Sequence, residues 1–373
     1  MAQQILQIIP TPPDSSDGIG DYALLLAAQL RQDAQLDTQF LVFRNDIEVK
    51  SAIDGFSIAH LPEHKPQALC SLIPESIRAV IVHFSGYPYF NTSLRGMVGI
   101  GIPFWLVNTL CAIKQSHRIK LIVMFHELPK LYWKQFYCFD YLNPIHCMVA
   151  RPLAQTADTV LTTSTKYQSI LSNWVNAPVH RLPIFSNMGE PAIVPPLIKR
   201  KRRLVIFGGS ARQRVYQNSL KDLIKSCQTL GIEEIYDIGP PLQLQANYHL
   251  EGIPLIELGF QSQESISQVL LTSMVGCLDY TPFPGDLSKS GVFAAYCAHG
   301  MLPLSTRYNP SESDGLHLQQ QYLTLDQDMT QVQPTELQAV ASAAHQWYQD
   351  HSLRAIAQVF AQHLLDQKED SLV

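Results

Sequence analysis

Residues 192–209 read AIVPPLIKRKRRLVIFGG, and the division of the whole chain turns on them. The prolines break regular structure, and the run of basic residues that follows suits a solvated connection rather than a core element. Immediately beyond, LVIF closed by two glycines has the form of a strand buried on both faces. The same form recurs on either side. Before the break, QQILQIIP, TQFLVFR, FSIAHLP, AVIVHFSG, KLIVMFHE and TVLTTS are strand-like, each followed by turn residues or a helix-period stretch; after it come IEEIYDIG, IPLIELG, GCLDY and MLPLST. Strands alternating with helices mean parallel sheets covered on both faces. A pattern that stops at a proline-rich, basic link and then restarts means two such sheets. The expected order is an α/β domain over 1–190, a link over 191–203, a second α/β domain over 204–335 and amphipathic helices over 336–373.

At 373 residues the chain has room for about two domains. Hydrophobic residues at 46% and charged residues at 16% fit a globular protein with buried sheets. A net charge of −5 argues against nucleic acid as the main partner. The seven cysteines (Cys70, Cys111, Cys138, Cys147, Cys227, Cys277, Cys297) are scattered, odd in number and without a Cys-x-x-Cys pair, so they read as small apolar residues in a reducing compartment. MAQQILQIIP lacks the basic and apolar regions of a signal peptide, which places the protein in the cytoplasm. Residues 96–113, GMVGIGIPFWLVNTLCAI, are almost uncharged. The plainer reading is a glycine-rich loop followed by a buried helix from about Pro103. The sharper one is a peripheral membrane contact at the inner face, aided by Phe104, Trp105 and the basic residues Arg95, Lys114, Arg118 and Lys120.

In an open parallel sheet, ligands gather at the carboxyl ends of strands, in the loops leading to helices. After the first strand, DGIGDYALLL puts Gly18 and Gly20 at a helix start, where backbone N–H groups suit an anion or a sugar hydroxyl; Asp17 and Asp21 disfavour a phosphate there. The restart FGGSARQR repeats the device with Gly208, Gly209, Arg212 and Arg214, and paired guanidiniums beside free amides suit a diphosphate. In DLSKSGVFAAYCAHGMLP, Lys289, Ser290 and Gly291 open a helix near Asp286, on what should be the same sheet edge. Bracketing a pyrophosphate is the economical reading. In the first half, AVIVHFSGYPY ends a strand at His83, with Tyr87 just beyond, and LIVMFHELPK ends one at His126, followed by Glu127. Polar residues that terminate apolar strands face a ligand or are held as structural histidines. No further ligand sits at a spacing useful for a metal, so none is expected.

These pieces, in this order, resemble a family 4 glycosyltransferase of bacterial glycan-biosynthesis type with the GT-B fold: DGIGDYALLLAAQL, MFHELPK, LPIFSNMGEP, FGGSARQR, DIGPP and KSGVFAAYCAHGMLP span nearly the whole chain. The resemblance implies two Rossmann-like domains facing across a cleft, a nucleotide diphosphate sugar as substrate rather than a cofactor, a glycan or lipid-linked acceptor, no metal, and retention of anomeric configuration. It further implies that the last helix crosses back to the first domain and that His126 sits by the transferred sugar. His83, Tyr87 and Asp286 would then stand on the acceptor or sugar side, and Arg212, Arg214, Lys289, Ser290, Gly291 and Gly209 would face the donor diphosphate. The sequence departs from the family at two glutamates around the last helix: Leu287 or Ser288 and Ala295 or Tyr296 stand in their places. The departure opens two alternatives. One is a catalytically silent relative that binds a nucleotide sugar or acts as a scaffold; the other is a nucleotide-sugar epimerase, for which Glu127 is nearly the only carboxylate on offer.

Overall fold

The computed structural model describes residues 3–13, 18–43, 50–85, 104–128, 143–243, 250–281, 286–307 and 314–366. They fall into two compact units, Met1–Leu182 with Ile356–Val373, and Pro183–Ala355.

Unit 1 carries one sheet built from β1 (Gln3–Ile9), β2 (Leu36–Val42), β3 (Ala52–Ile53), β4 (Phe56–His60), β5 (Ala79–Phe84), β6 (Lys120–Phe125), β7 (Thr159–Thr162) and β8 (Val179–Arg181). The spatial order is β3-β4-β2-β1-β5-β6-β7-β8, and every pair is parallel except β3 with β4. Its helices are α1 (Gly18–Ala34), α2 (Pro66–Ser71), α3 (Phe104–His117), α4 (Asn143–Thr156) and α5 (Thr165–Ser172). Side chains alternate across the pleat. Leu6, Ile8, Val80, Val82, Leu121 and Val123 therefore meet Leu106 and Leu110 of α3 and Val149 and Leu153 of α4. Ile9, Phe40 and Val42 turn the other way, onto Ala23 and Ala27 of α1. Gln7, Thr38 and His83 share the parity of this second set, and all are buried.

Unit 2 carries β9 (Lys201–Phe207), β10 (Glu234–Ile238), β11 (Leu255–Gly259), β12 (Ser273–Leu278), β13 (Leu302–Ser305) and β14 (Leu323–Thr324), all parallel, in the order β11-β10-β9-β12-β13-β14. Between them run α6 (Gln213–Leu230), α7 (Gln263–Thr272), α8 (Gly291–Ala298) and α9 (Pro334–Gln349). Numbered from β9, the order is that of a doubly wound nucleotide-binding sheet, 3-2-1-4-5-6, which reverses direction between β9 and β12. Unit 1 reverses in the same way between β1 and β5. These two reversal points are where a ligand finds an open crevice at the sheet edge. α8 packs flat on the second sheet because Gly276 has no side chain: a Cβ there would overlap the ring of Tyr296, whose hydroxyl donates to the carbonyls of Val205 (3.0 Å) and Cys277 (2.9 Å).

The basic link is not a free tether. Unit 2 already begins at Pro183, and β9 starts at Lys201, inside the basic run. Arg200 is buried and donates to the carbonyls of Pro195 (2.9 Å), Ser273 (3.2 Å) and His299 (2.8 Å), while Arg203 pairs with Glu234 at 2.8 Å. A guanidinium with five donors can clip several strand ends together, which composition alone cannot distinguish from a solvated charge. The preceding segment is held as well, for Glu190 Oε1 accepts from both the Tyr348 hydroxyl (2.5 Å) and the Leu353 amide (2.7 Å).

The C-terminal helices divide between the units. α9 lies in unit 2, whereas α10 (Leu353–Leu365) from Ile356 onward groups with unit 1, where Lys120 Nζ donates to the Asp366 carbonyl at 2.8 Å and the rings of His180 and His363 lie 4.6 Å apart. Of the 96–113 segment, residues 96–103 lie outside the described residues, and the remainder opens α3 with Leu106, Val107, Leu110 and Ile113 buried and Phe104 exposed. Among the described residues no helix is long and apolar enough to cross a membrane. Cys227, Cys277 and Cys297 are buried as expected of small apolar residues, but Cys70 is exposed.

Candidate functional site

At the reversal point of unit 2, β9 ends in Gly208 and Gly209. Gly208 has φ +126°, a conformation that favours glycine, and a Cβ there would come within 3.4 Å of Val292 in the first turn of α8. The glycine loop and the helix start therefore abut, as the sequence anticipates. Ser290 caps α8, its Oγ accepting from the Phe293 amide at 3.2 Å. The amides of Gly291 and Val292 are left to whatever lies beyond the helix end. Lys289 and Asp286 flank this cap within a short turn over Leu287–Lys289, and both are buried.

The two arginines do not form one clamp. Arg212 turns towards β10: its Nε and Nη2 donate to Asp237 Oδ1 at 2.9 and 2.6 Å, and Nη2 also donates to the Pro240 carbonyl. Both side chains are almost wholly buried, at 3% and 1% exposure, and the other Asp237 oxygen accepts from the Tyr216 hydroxyl at 2.7 Å. Gly239 makes room for this guanidinium, since a Cβ there would strike Arg212 and the Gly208 carbonyl. Arg212 is thus consumed by a buried ion pair and is a structural residue. Arg214 turns to the opposite side of β9, where its Nε donates to Asp279 Oδ2 at 3.1 Å beyond the end of β12. Asp279 is fixed in turn by Thr281 (2.7 Å) and by Thr306 at the end of β13 (3.0 Å). Arg214 remains 32% exposed, and among the described residues Nε is the only atom of its guanidinium engaged. The result is an oriented cation at the reversal point with two N–H edges to offer an anion.

Unit 1 presents a different device. Gly20 serves packing, because a Cβ would meet the Pro12 carbonyl oxygen at 2.5 Å. A Cβ on Gly18 would have nothing within 4 Å among the described residues, so that glycine is not required by packing against them. His83 and His126 are brought together: His83 Nδ1 lies 3.0 Å from His126 Nε2, and His83 Nε2 lies 2.8 Å from Gln7 Oε1. Gln7 Nε2 donates to Thr38 Oγ1 at 3.3 Å. Tyr22 of α1 stands edge-on to both imidazoles, 5.8 Å from His83 and 4.9 Å from His126. Burial holds both histidines neutral, His126 pushed down to about 3 and His83 well below its usual range, with His126 adding to the effect on His83. Glu127 is exposed. Tyr87 lies outside the described residues. Among the described residues no group of three or more His, Cys, Asp or Glu side chains is placed to hold a metal ion.

Sequence reading missed Gln7, Thr38, Asp237, Asp279 and Thr306. A signal existed for three of them: Gln7 in QQILQII, Asp237 in EIYDIG and Asp279 in GCLDY are lone polar residues within or just after apolar strands, which a buried sheet admits only when they are hydrogen-bonded.

Two α/β units with parallel sheets wound in this order define the GT-B fold. Solved structures of that fold match over nearly the full chain. Sucrose-phosphate synthase from Thermosynechococcus elongatus is 13% identical with a TM-score of 0.65, covering 96% of this chain and 98% of its own. The trehalose-6-phosphate synthase OtsA is 12% identical with a TM-score of 0.63 (98% and 99%), and Anabaena HepE in complex with UDP-glucose is 12% identical with a TM-score of 0.58 (97% and 99%). No protein-family model matches the sequence, and no curated protein does either.

Proposed function

We propose that this chain is a glycosyltransferase that moves a sugar from a nucleotide diphosphate sugar to a glycan or lipid-linked acceptor. The observation that carries the reading is the reversal point of unit 2, where Gly208 and Gly209, the capped start of α8 and the partly exposed Arg214 share one sheet edge. Breaking the bond between a sugar and a diphosphate builds negative charge on the leaving oxygen. A fixed guanidinium and unpaired amides stabilise that charge without reorganising. Arg214, held by Asp279, is the cation; Gly291 and Val292 supply N–H groups; Arg212 keeps the loop in shape through Asp237. Solved neighbours carrying UDP or UDP-glucose support a uridine nucleotide as the first to try. Transfer with retention and without a metal rests on the family resemblance alone.

The test is isothermal titration with a panel of nucleoside diphosphates and their sugars, on the intact chain and on Arg214→Met. Binding of a nucleotide that weakens about 10- to 150-fold in the variant is expected for the loss of a charged hydrogen-bonding partner. A folded protein that binds none of the panel refutes the reading.

A second reading, a catalytically silent nucleotide-sugar binder, is favoured by one observation. Leu287, Ser288, Ala295 and Tyr296, at the places of the family glutamates, are all buried, and the Tyr296 hydroxyl is spent on backbone carbonyls. Release of nucleoside diphosphate from a bound donor, abolished by Arg214→Met, rules that reading out.

A further inference from the structure

The helix that returns the chain to unit 1 is seated beside two histidines. α10 buries Ile356, Ala357, Phe360 and Leu364, a stripe at helical spacing, and His363 stands one residue before the last of them. Its ring lies 4.6 Å from the ring of His180 in β8, centroid to centroid, with the planes tilted by 52°. Lys120, at the start of β6, donates its ammonium to the carbonyl of Asp366, just past the helix end, at 2.8 Å. Both imidazoles are partly exposed, so protons reach them without unfolding of the sheet.

Among the described residues, the charged and titratable groups that face His363 are His180 and Lys120, from the sheet of unit 1, and Asp366, from its own segment. Burial acts most strongly, followed by His180 and Lys120, and together they hold the ring below the usual histidine range against the pull of Asp366. Asp366 and the carbonyl end of α10 both favour a proton on His363, but they stay beside it when the helix lifts. Burial, His180 and Lys120 act only while it is seated. Only this second set distinguishes the seated helix from the lifted one, and it favours the neutral ring. Seating is therefore complete above about pH 6.5, where the ring of a lifted helix is neutral, and weakens below it by up to about tenfold per pH unit.

We propose that His180 and His363 form a proton-sensitive latch, which holds the end of α10 on unit 1 while both rings are neutral and loosens it when one of them takes a proton. A proton on His363 faces the other imidazole and the Lys120 ammonium. The four buried apolar residues of α10 still hold it, so one proton shifts the opening equilibrium of the helix rather than expelling it. The chain passes between the units twice, at 182–183 and at 355–356. With α10 lifted, unit 1 is joined to unit 2 through the first passage alone. The inference does not depend on the transferase reading.

The test is hydrogen exchange by mass spectrometry on the full chain, followed in peptides covering 353–366, with each rate divided by that of an unstructured chain at the same pH. Protection of α10 is expected to fall by up to about tenfold between about pH 6.5 and 5.5. The fall should disappear in His180→Asn/His363→Gln, which keeps polar side chains at both places but takes no proton there. Protection of α10 that is flat over that interval in the unmodified chain, or an equal fall in the folded double variant, overturns the latch. Should the double variant fail to fold, the NMR titration of the His363 ring in the unmodified chain decides. A midpoint below about 6.5, the value of a free imidazole, supports the latch, and a midpoint at or above it overturns the latch.

Discussion

Arg212→Met is the substitution that best separates a structural arginine from a ligand-binding one. Arg212 and Asp237 bury their charged ends to 3% and 1% exposure and share hydrogen bonds of 2.9 and 2.6 Å. Removing the guanidinium strands a carboxylate in the core of unit 2, and breaking a buried pair from one side costs about 3–5 kcal/mol. At about 1.4 kcal/mol per factor of ten, amide protection in β9 and β10 should fall by two to almost four orders of magnitude. Arg212→Met/Asp237→Leu removes both charges together and should recover most of the loss, because a buried pair is often replaceable by apolar residues at little net cost. Arg214→Met, whose partner bond lies at a partly exposed site, should cost under about 1 kcal/mol. The assay is hydrogen exchange by mass spectrometry on peptides covering 201–207 and 234–238, with nucleotide affinity measured on the same samples. If Arg212→Met leaves protection within a factor of about five, equivalent to about 1 kcal/mol, and yet abolishes UDP binding, the assignment of Arg212 to structure is wrong.

Three further outcomes follow from the same geometry. Gly20→Ala drives a methyl into the Pro12 carbonyl, 2.5 Å from the new Cβ, and should destabilise unit 1 by about 1–3 kcal/mol in a urea titration, whereas Gly18→Ala should leave stability unchanged. Equal effects of the two would refute the division of roles between them. Gly276→Ala overlaps the Tyr296 ring and should destabilise unit 2, with Tyr296→Leu in the same chain relieving part of the loss; no rescue would mean α8 is not seated by that contact. Acid should weaken both units before carboxylates titrate. His126, pushed down to about 3, and His83 stay neutral when folded, as does His299, pushed down to about 4 chiefly by burial. Each takes a proton near pH 6.5 once unfolded. Stability is then complete above about pH 6.5 and falls below it by up to about 1.4 kcal/mol per pH unit per histidine, so unit 1 with two of them should lose stability faster than unit 2 with one. Exchange protection that is flat between about pH 6.5 and 5 would show these rings to be charged in the fold.

Most of the strand layout was legible from local pattern. Largely apolar runs located β1, β5, β6, β9, β10 and β13, four of them closed by glycine or proline, because a strand buried on both faces is mostly apolar. The short strands β3, β8 and β14 were not foreseen; two or three residues carry too little periodicity to stand out from a loop. The basic run at 199–203 misled for a related reason. Exposed Lys199 and Lys201 and buried Arg200 and Arg203 look alike in one dimension, and only the carbonyls and the Glu234 carboxylate that surround the latter two tell them apart.

The candidate site divides in the same way. That Gly208, Ser290 and Gly291 belong to strand-to-helix turns at one sheet edge could be read from the order of residues, since turn chemistry and capping act over three or four positions. Which cation remains available could not be, because Arg212 meets its carboxylate 25 residues away and Arg214 meets its own 65 residues away, on opposite neighbours of β9. Likewise the sequence by itself determined that His83 and His126 end apolar strands, but the parallel pairing of β5 with β6 and of β1 with β5 is what joins them to each other and to Gln7. Local sequence sets backbone form through sterics and nearby hydrogen bonds, whereas the state of a charge or a tautomer depends on partners that only the assembled sheet brings within 3 Å.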